Sequence, residues 1–80
     1  MNETISIKLV AKKDFILGDM FGEEHEIKLG DVWYGQKTNM NGLKIASIKI
    51  GDTDMYYFQS WVEEFFEIIE MEEEINETNE

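Results

Sequence analysis

Apolar and polar residues alternate strictly near the start of the chain. In TISIKLVAK (4–12), Ile5, Ile7, Leu9 and Ala11 point one way while Ser6, Lys8 and Lys12 point the other. That is the period of two expected of a strand with one buried face. Residues 13–31 contain three glycines and many acids but no sustained period. They predict a long loop with short extended pieces near Phe15–Leu17 and Glu26–Leu29, anchored by Phe15 or Leu17. KLGD (28–31) closes it as a tight turn, with Gly30 supplying the permissive backbone.

Strand formers return in VWYGQKT (32–38). Asn41-Gly42 is the strongest hairpin signal in the chain, and LKIASIKI (43–50) is the returning strand. Its apolar residues change parity between Ile45 and Ile48, which predicts either a bulge or burial on both faces at one end. GDTD (51–54) is a second turn and MYYF (55–58) a short strand. The period then changes. Trp61, Phe65, Ile68 and Ile69 recur at helical spacing, widened by Val62 and Phe66, with Glu63, Glu64, Glu67 and Glu70 on the remaining arc. Ser60 and Glu63 have the spacing of a capping box. The pattern predicts an amphipathic helix of about two to three turns whose Trp61, Phe65 and Ile69 plug a bent sheet. Carboxylates crowding its negative end fray it near Met71.

These elements predict a mainly β chain: a small SH3-like antiparallel barrel of about five strands with a C-terminal amphipathic helix. Residues 1–70 form the single domain, and 71–80 an acidic flexible tail. Eighty residues, 42% of them apolar, suffice for one packed core and argue against whole-chain disorder. No cysteine is present, so disulfides and thiolate metal sites are excluded. The first thirteen residues lack the basic start and apolar run of a signal peptide, and no stretch has the length of a membrane span. The expected location is the cytoplasm.

The net charge of −11 is unevenly placed. Residues 1–50 hold seven lysines against seven acids, whereas residues 51–80 hold eleven acids and no base. There is no arginine, so bidentate phosphate recognition lacks its usual donor and direct nucleic-acid or anionic-membrane binding is disfavoured. A partner with a basic surface is favoured.

Few residues suggest chemistry. His25, the only histidine, sits among acids in EEHEI. A general base beside carboxylates is conceivable there, but the pattern reads as an exposed loop histidine. Asp52, Asp54 and Glu63 have the spacing of a calcium loop, yet Tyr56 and Tyr57 occupy a ligand slot and the obligatory glycine position. A turn followed by a strand accounts for them better. No catalytic residue, metal site or cofactor is expected.

The aromatics are more informative. Trp33/Tyr34 and Tyr56/Tyr57/Phe58 are consecutive strand residues, so they cannot all enter one core. Some must lie under the terminal helix or form an interface patch.

AKKDF, IKLGDVWYG, a hairpin and DMYYFQSWVEEFFEII together resemble many small phage and prophage proteins. The resemblance spans residues 10–69. It implies an SH3-like barrel and a phage-type accessory role, with Phe15, Gly30, Asp31, Trp33, Ser60, Phe65 and Phe66 as fold determinants, and it implies no activity. The resulting expectation is a non-enzymatic binding module that engages, and in one version inhibits, a host protein. Its contact surface would comprise Trp33, Tyr56, Trp61, Glu63, Glu64, Glu67 and Glu70. In the sharper form the glutamates, spaced along a helix, stand in for nucleic-acid phosphates. The alternative is a structural or assembly protein that homodimerises through its aromatic surface.

Overall fold

A computed structural model describes residues 3–71. Seven strands and one short helix follow in the order β1 (Glu3–Ala11), β2 (Phe15–Gly18), β3 (Glu24–Ile27), β4 (Val32–Met40), β5 (Leu43–Ile50), β6 (Thr53–Phe58), α1 (Gln59–Phe65) and β7 (Phe66–Glu70). The chain is mainly β. Five strands form one antiparallel sheet in the order β6-β5-β4-β1-β7, and β2 and β3 form a separate hairpin. Among the described residues the sheet is open, with β6 and β7 as its edges.

The N-terminal alternation fixes the register. Leu9 lies opposite Trp33 of β4 and Ile68 of β7, and Ala11 lies opposite Phe66. Ile7, Leu9 and Ala11 are buried, joined by Ala46 and Ile48 of β5, Val62 of α1 and Phe66 of β7. The hairpin covers the same face: Leu17 and Ile27 complete the core. Residues 13–31, expected to be a long loop with short extended pieces near Phe15–Leu17 and Glu26–Leu29, are largely a paired hairpin: the first piece is β2 and the second overlaps β3, and the two pair with each other. Its strands are only four residues each, too short to show a period in the sequence.

Three tight turns hold the sheet. Asn41 and Gly42 both have positive φ (55° and 91°) in the two-residue loop between Met40 and Leu43, the type I′ geometry whose twist suits a hairpin. The Gly42 amide also donates to the Asn39 Oδ1 at 2.9 Å. Gly51 turns β5 into β6. In the predicted KLGD turn the Asp31 amide donates to the Lys28 carbonyl, and the Lys28 amide donates to Asp31 Oδ2. The Gly30 amide then donates to the Ala11 carbonyl and the Ala11 amide to the Asp31 carbonyl, each at 2.9 Å, anchoring the base of the hairpin to the end of β1.

The parity change in β5 is not a bulge, because its register with β4 and with β6 is unbroken. Ala46 and Ile48 face the core, while Ile45 faces outward beside Phe58. Ser47, between them, is also buried. Its hydroxyl accepts the Gln36 amide and donates to the Gln36 carbonyl, so the buried group keeps its partners. Gly35 on β4 allows this close approach: a Cβ there would lie 2.7 Å from the Ser47 carbonyl carbon.

The largest departure from expectation is at the C-terminal end. The helix is only Gln59–Phe65, and at Phe66 the backbone becomes extended (φ −131°, ψ 148°). It continues as β7, paired with β1. Phe66 and Ile68 satisfy a period of two as well as a helical spacing. The free edge of β1 offers ladder hydrogen bonds that a helix could not take, and the strand avoids stacking Glu63 over Glu67 on successive turns. Ser60 does not cap the helix. The N-cap is Phe58, without a side-chain bond, and Ser60 sits inside the first turn while Gln59 Nε2 donates to Glu63 at 2.9 Å. Ile69, expected in the core, faces outward at 39% exposure. The predicted acidic tail beyond Met71 lies outside the described residues. Among those residues no helix is long and apolar enough to cross a membrane.

Candidate binding surface

The helix and the edge strand β6 together build one aromatic surface. α1 packs Val62 into the core and turns Trp61 and Phe65 toward the rim. Tyr57 stacks on Trp61 at 4.9 Å between ring centroids, Trp61 meets Phe65 at 4.6 Å, and Phe65 meets Phe15 of the hairpin at 4.6 Å. Phe15 then contacts the buried Phe66 edge-on at 5.4 Å. The strip thus runs unbroken from the edge strand to the core, and each ring contact adds about 0.5–1.5 kcal/mol beyond area burial. Lys13 lies over the Phe65 face, 4.9 Å from its centroid, in a cation–π contact.

At the β6 end, Ile45, Tyr56, Tyr57, Phe58 and Trp61 line an open apolar hollow of about 560 Å³. Tyr56 and Phe58 are mostly exposed. Alternation sends them outward and Tyr57 inward, but at a sheet edge both orientations border the same hollow. The Tyr57 hydroxyl is buried and, among the described residues, has no hydrogen-bond partner. Burial, followed by the negative charge of Asp19, raises its pKa above the ordinary tyrosine value.

The residues singled out from the sequence divide into groups. Tyr56 and Trp61 come together at the hollow, and Glu63 and Glu64 are exposed on the same helix. Trp33 is elsewhere: it is half-buried on the inner face opposite Leu9 and packs against the core. The four glutamates do not share one helix face. Glu67 lies on β7 opposite Val10, while Glu70 lies opposite Ile7 and pairs with Lys37 across the sheet. The helical phosphate-like stripe therefore has no counterpart in this structure. Because Phe66–Glu70 is extended, successive acids point to opposite faces. Ile45, Tyr57 and Phe58 complete the hollow; the run Met55–Phe58 signalled an aromatic excess but not which rings would meet.

His25 is not an exposed loop residue. It lies half-buried on β3 opposite Leu17, and its Nε2 is 2.9 Å from Asp19 Oδ2. Asp19 Oδ1 also accepts the amides of Phe21 and Glu23, each at 2.9 Å. The His25 hydrogen bond, followed by that from Glu23, lowers the Asp19 pKa. Asp52 lies in the β5–β6 turn and Asp54 on β6, the turn-and-strand arrangement expected in place of a calcium loop.

No protein-family model, curated protein or solved structure matches this chain.

Proposed function

We propose that this chain is a non-enzymatic binding module of SH3-like barrel type, phage- or prophage-encoded, that engages a host protein through the apolar hollow at Tyr56 and Trp61. The barrel reading is supported by the strand order. β1 pairs with both β4 and β7, the long segment after β1 folds as a separate hairpin, and the later turns are tight. Those are the connections from which a small bent sheet closes.

The observation that carries the function is the exposed hollow continuous with a stacked aromatic strip. A single exposed apolar side chain is ordinary, but a contiguous hollow lined by five apolar or aromatic residues is an interface feature. Two exposed carboxylates on α1, Glu63 and Glu64, give the neighbouring surface its sign. The partner of matching chemistry presents an apolar side chain for the hollow beside lysines or arginines. Inhibition by nucleic-acid mimicry needs a continuous row of carboxylates, which α1 alone does not supply.

Capture from a host lysate, identified by mass spectrometry, tests the reading. Tyr56→Ala leaves the core intact and removes one wall of the hollow. It should reduce capture of the partner at least tenfold, in the range of a modest hot spot. Glu63→Gln with Glu64→Gln should weaken capture and flatten its dependence on salt. Equal capture by wild type and Tyr56→Ala would overturn the proposal.

One observation favours the second reading, self-association. Among the described residues β6 is a free edge that carries Tyr56 and Phe58, and Asp54 is its one charge, with neither lysine nor proline, so it has little of the usual protection against edge pairing. A mass by sedimentation that rises with concentration, and falls back in Tyr56→Ala, would select this reading over the first.

A further inference from the structure

The tip of the β2–β3 hairpin gathers three metal-ligating side chains that the aromatic surface does not use. Donor atoms of Asp19, Glu23 and His25 all lie within 4.8 Å of one another. Two of the three are already fixed. Asp19 Oδ1 is held by the amides of Phe21 and Glu23, leaving Oδ2 directed at His25 Nε2, 2.9 Å away. The Asp19 side chain is only 8% exposed. Two ligands on a tetrahedral Zn²⁺, with bonds of about 2.0–2.1 Å, stand roughly 3.3 Å apart. The oxygen and the nitrogen are thus close to ligand separation, and replacing the proton they share by a cation needs little movement. Glu23 is exposed and two residues from His25, with a side chain long enough to swing in.

We propose that Asp19, Glu23 and His25 bind one divalent transition-metal cation, with water completing its coordination. One imidazole with two carboxylates suits Zn²⁺ or its first-row neighbours. Mg²⁺ and Ca²⁺ prefer all-oxygen sites. The cation would join both strands of the hairpin, so its binding stabilises the folded chain in proportion to its occupancy. This inference is independent of the partner-binding reading.

The test uses the full chain, stripped with EDTA and titrated with ZnCl₂ by isothermal calorimetry and by NMR of the His25 ring. His25 is the only histidine, so its ring signals are unambiguous. One equivalent of Zn²⁺ should bind in the micromolar range, shift the His25 signals and raise the melting temperature, while equimolar MgCl₂ does neither. His25→Ala should weaken binding at least thirtyfold, and Glu23→Gln about tenfold. Among the described residues the Glu23 carboxylate accepts no hydrogen bond and forms no ion pair, so that second variant guards against a loss that merely reflects unfolding. Binding only at millimolar Zn²⁺, or equal binding by wild type and His25→Ala, would overturn the proposal.

Discussion

Replacing Phe66 and Ile69 separately by alanine tests whether the chain after α1 is a strand. Phe66 is 1% exposed and packs on Ala11 and Phe15, whereas Ile69 is 39% exposed on the outer face opposite Lys8. Removing a fully buried phenylalanine costs about 3–5 kcal/mol, the transfer of its atoms plus the cavity left behind. Ile69 leaves no enclosed cavity and already keeps a large share of its surface in water, so its truncation costs about 1 kcal/mol. The expected gap is about 2 kcal/mol or more. A domain of this size has only a small total stability, so Phe66→Ala should approach complete unfolding. Phe66→Leu, costing roughly 1–2 kcal/mol, keeps the comparison measurable. Urea unfolding followed by tryptophan fluorescence gives both values, with the slope m checked for constancy. On a continuous helix, Ile69 would share the buried stripe with Trp61 and Phe65. An Ile69→Ala loss equal to or greater than that of Phe66→Ala would therefore refute the strand.

Three further outcomes follow from the same structure. Gly35→Ala places a Cβ against the Ser47 carbonyl and 3.2 Å from the Ile48 Cα, so β5 must move. The expected loss is about 3 kcal/mol, and a wild-type urea midpoint would refute the close approach. Tyr57 should titrate above the ordinary value of 10.0 in an ultraviolet absorbance titration. Its folded pKa is raised relative to the unfolded chain, so the associated stability is intact below about pH 10 and is lost as pH rises through the folded pKa. A Tyr57 that ionises at the ordinary value would contradict burial of its hydroxyl. Lys37→Met breaks the ion pair with Glu70, but both side chains retain solvent contact (23% and 57% exposed). Thermal unfolding should therefore show a change of no more than about 1 kcal/mol, and a much larger loss would mean that the pair is shielded from water.

Local pattern alone specified much of the sheet. The alternation of Ile5, Ile7, Leu9 and Ala11 determined which face of β1 is buried, because side chains on a strand must alternate. Asn41-Gly42, Gly51 and Gly30 determined the turns, because positive φ is open to few residues. Pairing partners were not legible there. Residues 13–31 gave no period because two four-residue strands and a five-residue tip are too short to display one. Phe66–Glu70 fits a helix and a strand equally well in one dimension; the unpaired edge of β1, a feature of three dimensions, decided between them. That decision also moved Glu67 and Glu70 away from Glu63 and Glu64, and so reshaped the proposed contact surface. The sequence by itself determined the β-rich class, the turns and the excess of aromatics and acids, since these rest on each residue's own backbone and side-chain preferences. Only the tertiary structure decided which rings stack, which acids stand together, and that Asp19 reaches His25, since such meetings depend on how distant segments pack.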